Sequence, residues 1–179
     1  MSHTNIEIKA RCSDLSRIRE ILQRQGAEVR GVDRQTDTYF PCSGGRLKLR
    51  EGNIENALIY YRRPNQPGPK QAAVSLCRVH PDPALRQVLS EALGVRVQVV
   101  KRREIFFLDN VKIHLDQVDP LGSFVEIEAI DADGSLGRDR LMEQCRHWMD
   151  RLGIRPDDLI DRSYSDMIEQ AQSSRGSSA

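Results

Sequence analysis

The sequence predicts an α+β fold, an eight-stranded antiparallel β-barrel with helices packed outside it. Three observations predict it. Eight segments of strand length alternate apolar and polar residues or carry β-branched runs. Most connections between them are short and built from Gly, Pro, Asn and Asp, which suits antiparallel neighbours. Amphipathic helical stretches are available to cover the apolar faces, and closure of the sheet would remove its exposed edges.

The first strand, Thr4 to Arg11, places Ile6, Ile8 and Ala10 on one face and Asn5, Glu7, Lys9 and Arg11 on the other. A helix is predicted over about 14–25, with Ser13 or Asp14 as cap and Gly26 as stop. Strands follow at about 30–40, 46–51, 57–63 and 71–79. A helix from Pro83 to Leu93 stops at Gly94, and strands resume at about 96–108, 111–118 and 123–130. Turn residues separate them: Ser43-Gly44-Gly45, Gly52-Asn53, Pro64 to Pro69, Asp109-Asn110 and Asp119 to Gly122. Asp109-Asn110 reads as a tight hairpin. The helix from Leu136 to Leu152 gathers Leu141, Cys145, Trp148, Met149 and Leu152 on one face, a core face, and Gly153 ends it. A last helix is predicted over about 157–170. One domain is expected over 1–172, with Ser173 to Ala179 as a flexible tail poor in apolar residues.

Composition narrows the function. Among 179 residues, 27 Lys and Arg balance 26 Asp and Glu. A net charge of +1 argues against coating nucleic acid or an anionic membrane. No apolar run approaches the ~20 residues of a membrane span. The opening Met-Ser-His-Thr-Asn has no signal-peptide core, so a cytoplasmic location is expected. The four cysteines, at 12, 42, 77 and 145, form no C-x-x-C pair, so unpaired thiols are expected rather than a zinc or redox motif.

The polar faces of the strands carry the chemistry. They offer Glu7 and Lys9, Lys48 and Arg50, Arg62 or Arg63, Lys101 and Arg103, His114 and Asp116, and Glu126 and Glu128. Spacing of two puts both members of a pair on one face. A half-buried sheet with a solvated outer face also alternates in this way. Here, though, the polar face is mostly ionised groups of both signs, and helices stand ready to bury the apolar face. With the charged face turned inward, the barrel encloses a wet ionic bore, too costly to desolvate without a ligand of matching charge. Arginine and lysine suit a polyphosphate. Carboxylates beside them suit Mg²⁺ or Mn²⁺, hard cations that bridge phosphate oxygens. The mixture therefore reads as a metal–polyphosphate site.

At this point the sequence resembles a known family. Asn-Ile-Glu-Ile-Lys at 5–9 is similar to the E-x-E-x-K signature of the CYTH superfamily, the triphosphate tunnel metalloenzymes. Further pieces follow in family order: D-T-Y-F at 37–40, L-K-L-R-E-G at 47–52, Y-Y-R-R-P at 60–64, G-P-K at 68–70, V-K-R-R at 100–103, I-H-L-D-Q-V at 113–118, L-G-S-F-V-E-I-E at 121–128 and S-Y-S-D-M at 163–167. The late pieces resemble the class IV adenylyl cyclase branch most. The resemblance implies a metal-dependent enzyme, adenylyl cyclase-like or a triphosphatase. It implies Glu7, Asp116, Glu126 and Glu128 as candidate ligands of Mg²⁺ or Mn²⁺. Lys9, Lys48, Arg50, Arg62, Arg63, Lys70, Lys101 and Arg103 become candidate triphosphate contacts, and Lys9, Arg103 and Asp116 candidate catalytic residues. Alternation turns one of Arg62 and Arg63 inward without saying which. A triphosphate is the implied partner, with neither nucleic acid nor membrane; a homodimer stays open.

Two positions depart from the signature. Asn5 replaces its first Glu and weakens one metal position, although an amide carbonyl still coordinates. Gln71-Ala72-Ala73-Val74 replaces a more polar run. His114 is read first as a hydrogen-bonded strand histidine. Tyr39 and Phe40 are read as barrel-end packing. Glu20, Glu91 and Glu143 are read as solvated, Lys112 as bore-facing unless its turn exposes it, and Asp161, Arg162 and Tyr164 as a cap on one mouth. Asn5 also keeps a rival in view, a polyphosphate-binding module without catalysis.

Overall fold

The computed structural model describes residues 2–176. Its strands are β1 (Ser2–Arg11), β2 (Glu28–Phe40), β3 (Arg46–Glu51), β4 (Ala57–Arg62), β5 (Lys70–Arg78), β6 (Val97–Leu108), β7 (Val111–Asp119) and β8 (Gly122–Asp131). Its helices are α1 (Leu15–Arg24), α2 (Pro83–Leu93), α3 (Gly137–Leu152) and α4 (Tyr164–Gly176), with a 3₁₀ turn at Pro156–Asp158. The strands close a barrel in the order β1-β5-β4-β3-β2-β6-β7-β8, and every pairing is antiparallel. This is the α+β barrel that the sequence predicts. α4 runs past the expected tail boundary to Gly176, and residues 177–179 lie outside the described residues.

Local chemistry sets the boundaries. Asp14 caps α1 by accepting from the backbone N–H of Arg17 at 3.0 Å. Asp82 caps α2, with Pro83 in its first turn. Gly153 ends α3 in the left-handed conformation at φ 67°.

The apolar core lies outside the barrel wall. Ile6 and Ile8 of β1, Ile113 and Leu115 of β7, and Val125 and Ile127 of β8 pack against Leu15, Ile18 and Leu22 of α1 and Leu141, Trp148 and Leu152 of α3. Each such side chain, fully buried, contributes about 1.5–3 kcal/mol. This layer carries the stability that an ionic bore does not supply. A second cluster plugs one end of the barrel. Val97 and Val99 of β6, Val118 of β7 and Phe124 of β8 meet Tyr164 and Ile168 of α4. The opposite end is formed by the starts of β1, β2 and β4 and the ends of β5, β6 and β8.

Candidate functional site

Period-two alternation turns the ionised residues into the bore, a cavity of about 880 Å³. Antiparallel register then stacks opposite charges side by side around the wall. Asp37 lies opposite Arg50, Arg103 opposite Asp116, Lys9 opposite Glu126, and Lys112 opposite Glu128. One pair breaks the rule, since Glu7 lies opposite Glu128. Like charges facing across a strand pair are destabilising unless a cation intervenes.

Asp37 anchors the basic half of the bore. It accepts from Lys48 at 2.8 Å, from Arg50 at 2.9 and 3.1 Å, and from Lys101 at 2.6 Å. Burial pushes its carboxyl up, but the Arg50, Lys101 and Lys48 charges outweigh this and hold it well below the usual range. Lys101 is lowered to about 7, because burial and the neighbouring Arg50, Arg103 and Lys48 outweigh the attraction of Asp37. Glu55 joins the cluster from the β3–β4 loop, bonded to Arg50 at 2.9 Å and to Lys112. Asp33 fixes that loop by accepting from the backbone N–H groups of Ile54 and Glu55 at 3.0 and 2.9 Å. The fit requires glycine at 52, where a Cβ would come within 2.5 Å of the Asp33 carboxylate.

Glu126 anchors the other half. Lys9 and Arg103 donate to it, Arg103 at 2.7 Å, and His114 Nδ1 lies 3.3 Å away. Burial raises its carboxyl, and the Lys9 and Arg103 charges bring it well below the usual range. Burial and the Arg103 charge push His114 down to about 3, so its ring is neutral at pH 7. Its Nε2 is buried without a hydrogen-bond partner. Arg63 donates to Glu7 at 2.5 Å. Asn5 Nδ2 donates to Glu128, whose carboxyl is raised first by burial, with Glu7 and Glu126 adding to it.

Of the residues expected in the site, Glu7, Lys9, Lys48, Arg50, Arg63, Lys101, Arg103, Glu126 and Glu128 line the bore. Three do not. Arg62 is exposed on the outer face, so Arg63 is the inward member of the pair. Lys70 is buried but turned to the carbonyls of Gln66, Ile160 and Asp161 at 3.1, 3.3 and 3.5 Å. Asp116 lies behind the lining, with Arg103 on it at 2.7 and 2.5 Å and the Tyr164 hydroxyl at 2.8 Å. It positions Arg103, and its oxygens are already occupied by hydrogen bonds. Sequence reasoning missed Asp37, Glu55 and Asp33. Tyr39 packs in the end cluster as expected and also lines the bore beside Tyr61, with Lys48 Nζ 5.5 and 5.8 Å from the two ring centroids. Tyr164 caps the plugged end as expected, with Lys9 Nζ 3.4 Å from its ring centroid.

The donors left to a divalent cation are Glu7, Glu126 and Glu128, with the carbonyl of Asn5. Asn5 Oδ1 is buried and unpartnered, an oxygen donor facing no proton. Together with the opposed Glu7 and Glu128, this set fits a hard cation in kind. As the side chains stand, Arg63, Lys9 and Asn5 engage these carboxylates, and no three metal-binding side chains among the described residues converge on one point.

A closed antiparallel barrel with an ionised bore of both signs defines a triphosphate tunnel. The CYTH domain model matches residues 3–164, and the chain belongs to that family. A Methanocaldococcus jannaschii protein named "putative adenylate cyclase" is 24% identical, with 90% of this chain and 97% of the relative covered. The X-ray structure of a "putative adenylate cyclase" from Vibrio parahaemolyticus superposes with a TM-score of 0.75 at 18% identity, covering 94% of this chain and 99% of the other. A Hippeastrum protein, named a "putative adenylyl cyclase" with a dominant triphosphatase activity, gives a TM-score of 0.58 at 15% identity, covering 93% of this chain and 96% of the other. The family implies a divalent metal and supports an enzyme at family level. Among the described residues, no helix is long and apolar enough to cross a membrane.

Proposed function

We propose that this chain is a metal-dependent enzyme acting on a triphosphate that bears an organic group, with an adenylyl cyclase-like reaction that converts ATP to cyclic AMP and pyrophosphate. One observation carries this reading. The bore joins an ionic centre to a mixed stretch at its unplugged end, where Leu76, Val79, Ile105, Phe107 and Ile130 line it among Arg30, Asn56, Arg78 and His80. At about 880 Å³ it falls within the range of ~300–1,000 Å³ that encloses whole organic ligands. Inorganic triphosphate would leave that stretch, with its five apolar side chains, empty.

In the cyclisation, the 3′-hydroxyl loses its proton, its oxygen forms a bond to the α-phosphorus, the bond from that phosphorus to the bridging oxygen breaks, and pyrophosphate leaves with the electron pair and takes up the proton. Lys48, Arg50 and Lys101 would hold the β- and γ-phosphates by exchanging part of their contact with Asp37 for phosphate oxygens. Lys9, Arg63 and Arg103 would lie against the charge that develops on the leaving group. Asp116 keeps the Arg103 guanidinium in plane. Neutral His114, with Nε2 free, is the chain's own acceptor for a substrate hydroxyl. Held by Glu7, Glu126, Glu128 and Asn5, Mg²⁺ or Mn²⁺ would supply Lewis-acid charge at the phosphate oxygens.

Hydrolysis of a terminal phosphate uses the same lining, and the Hippeastrum neighbour's name favours it as the second reading. Asn5 favours the third, binding without turnover. Incubation with ATP, thiamine triphosphate and inorganic triphosphate, each with Mg²⁺ or Mn²⁺ and with products separated by chromatography, distinguishes them. Cyclic AMP from ATP supports the cyclase. Orthophosphate from ATP or thiamine triphosphate supports hydrolysis. Turnover of inorganic triphosphate alone refutes the organic group, and tight binding without any product leaves the binding module.

A further inference from the structure

A second cavity of about 320 Å³ lies outside the bore, beside the plugged end. Arg46, Arg62, Arg63 and Arg96 line it, and Asp166 is the carboxylate among them, so the lining carries three positive charges in excess. Arg63 lines the bore as well and is the wall that the two cavities share.

The guanidinium groups are built in rather than left loose on the surface. Arg46 and Arg63 lie over the Tyr61 ring at 5.9 and 5.8 Å from its centroid. Arg46 donates to Asp166 at 2.7 Å, and Glu169 holds Arg96 by two contacts of 2.6 Å. The Arg63 side chain is only 3% exposed. Yet the Nε atoms of Arg46 and Arg63 are both buried with no hydrogen-bond partner. An unmet buried donor costs about 1–3 kcal/mol, more for a charged group, so these two arginines are held in place at a cost. Apart from these charged side chains, the lining is the Gly44-Gly45 turn, with no aliphatic or aromatic side chain. That chemistry excludes a nucleoside and suits a compact anion with several oxygens, because arginine binds phosphate oxygens in pairs.

We infer that this outer cavity is a second oxyanion site that takes inorganic pyrophosphate or phosphate, adjoining the bore at Arg63. The anion arrives either as product released from the bore or as free ligand from solution.

Titration of the protein with inorganic pyrophosphate, followed by calorimetry at fixed ionic strength, tests this. Two binding events are expected. Arg62→Gln is chosen because Arg62 is exposed. It should weaken one event about tenfold, the value of one charge-assisted contact, and leave the other unchanged. Arg96→Gln should weaken the same event. ADP should fail to occupy it, and sulfate at equal concentration should occupy it more weakly than pyrophosphate. Pre-loading the bore with a non-hydrolysable ATP analogue separates the sources. If the outer event persists, the anion enters from solution, and if it disappears, the anion arrives through the bore. A single event in the wild type, an outer event unmoved by both substitutions, or equal binding of sulfate overturns the inference. Because the two events are read separately, failure of the bore to turn over any triphosphate leaves this result intact.

Discussion

Replacing Asp37 by Asn removes the one carboxylate that faces three cations. Lys48, Arg50 and Lys101 all donate to it within 3.1 Å, and it is 1% exposed. Removing one partner of a buried ionic cluster costs about 3–5 kcal/mol, because the remaining charges stay buried and uncompensated. For a domain of this size, about 2–4 °C accompanies each kcal/mol, so a fall in Tm of about 6–20 °C is expected. The sign with pH follows from the depressed carboxyl. Its stabilisation is fully present above the ordinary value of 3.8 and is lost as pH falls toward the depressed folded value. The gap between wild type and variant should therefore close on acidification below about pH 4. The variant also separates a structural from a ligand role. Tripolyphosphate supplies the missing negative charge, so its thermal shift should be larger in Asp37→Asn than in the wild type. Differential scanning fluorimetry with and without tripolyphosphate measures both quantities. An unchanged Tm would refute the buried-cluster reasoning, and a smaller ligand shift in the variant would refute the placement of the polyphosphate beside Lys48, Arg50 and Lys101.

Other outcomes follow from the same geometry. Lys101 binds anions only when protonated, so polyphosphate affinity should fall as pH rises through about 7, and Lys101→Gln should flatten that step in a calorimetric titration. The double substitution Glu126→Gln with Glu128→Gln should abolish metal-dependent turnover; activity unchanged across a Mg²⁺ and Mn²⁺ titration would remove both carboxylates from the mechanism. Asn5→Glu sets a third carboxylate beside Glu7 and Glu128, so it should lower the Tm of the metal-free protein and increase the stabilisation by Mg²⁺ relative to wild type. Gly52→Ala should destabilise by about 1–3 kcal/mol in denaturant melts, since the Asp33 carboxylate must give way to the new methyl group.

The barrel was legible because alternation is a strong signal wherever one strand face is charged and the other apolar. The outer cluster under α1 and α3 could be read from Ile6, Ile8, Leu141 and Trp148 alone. The bore was legible to the extent that its residues sit in pairs at spacing two. Asp37 carried the same signal, because it alternates with Tyr39, but its place opposite Arg50 depends on how β2 and β3 register. Glu55 sits in a loop, where no period exists, and its place depends on hydrogen bonds to Asp33 from twenty residues away in the chain. Asp116 was sited correctly on the inner face, but depth behind Arg103 is a tertiary property. Lys70 is withdrawn by carbonyls some ninety residues downstream, a contact that no local pattern announces. The choice between Arg62 and Arg63 depended on where β4 stops relative to Pro64.

The first strand is also the last stave of the cask. β1 stands between β5 and β8, whose partners for Thr4 are residues 73 and 131. Its edge toward β5 therefore stays bare until residue 73 has been made and its edge toward β8 until residue 131, and loop-closure entropy sets the pace of both encounters. A newly synthesised chain must shield an open, charge-lined trough during this interval.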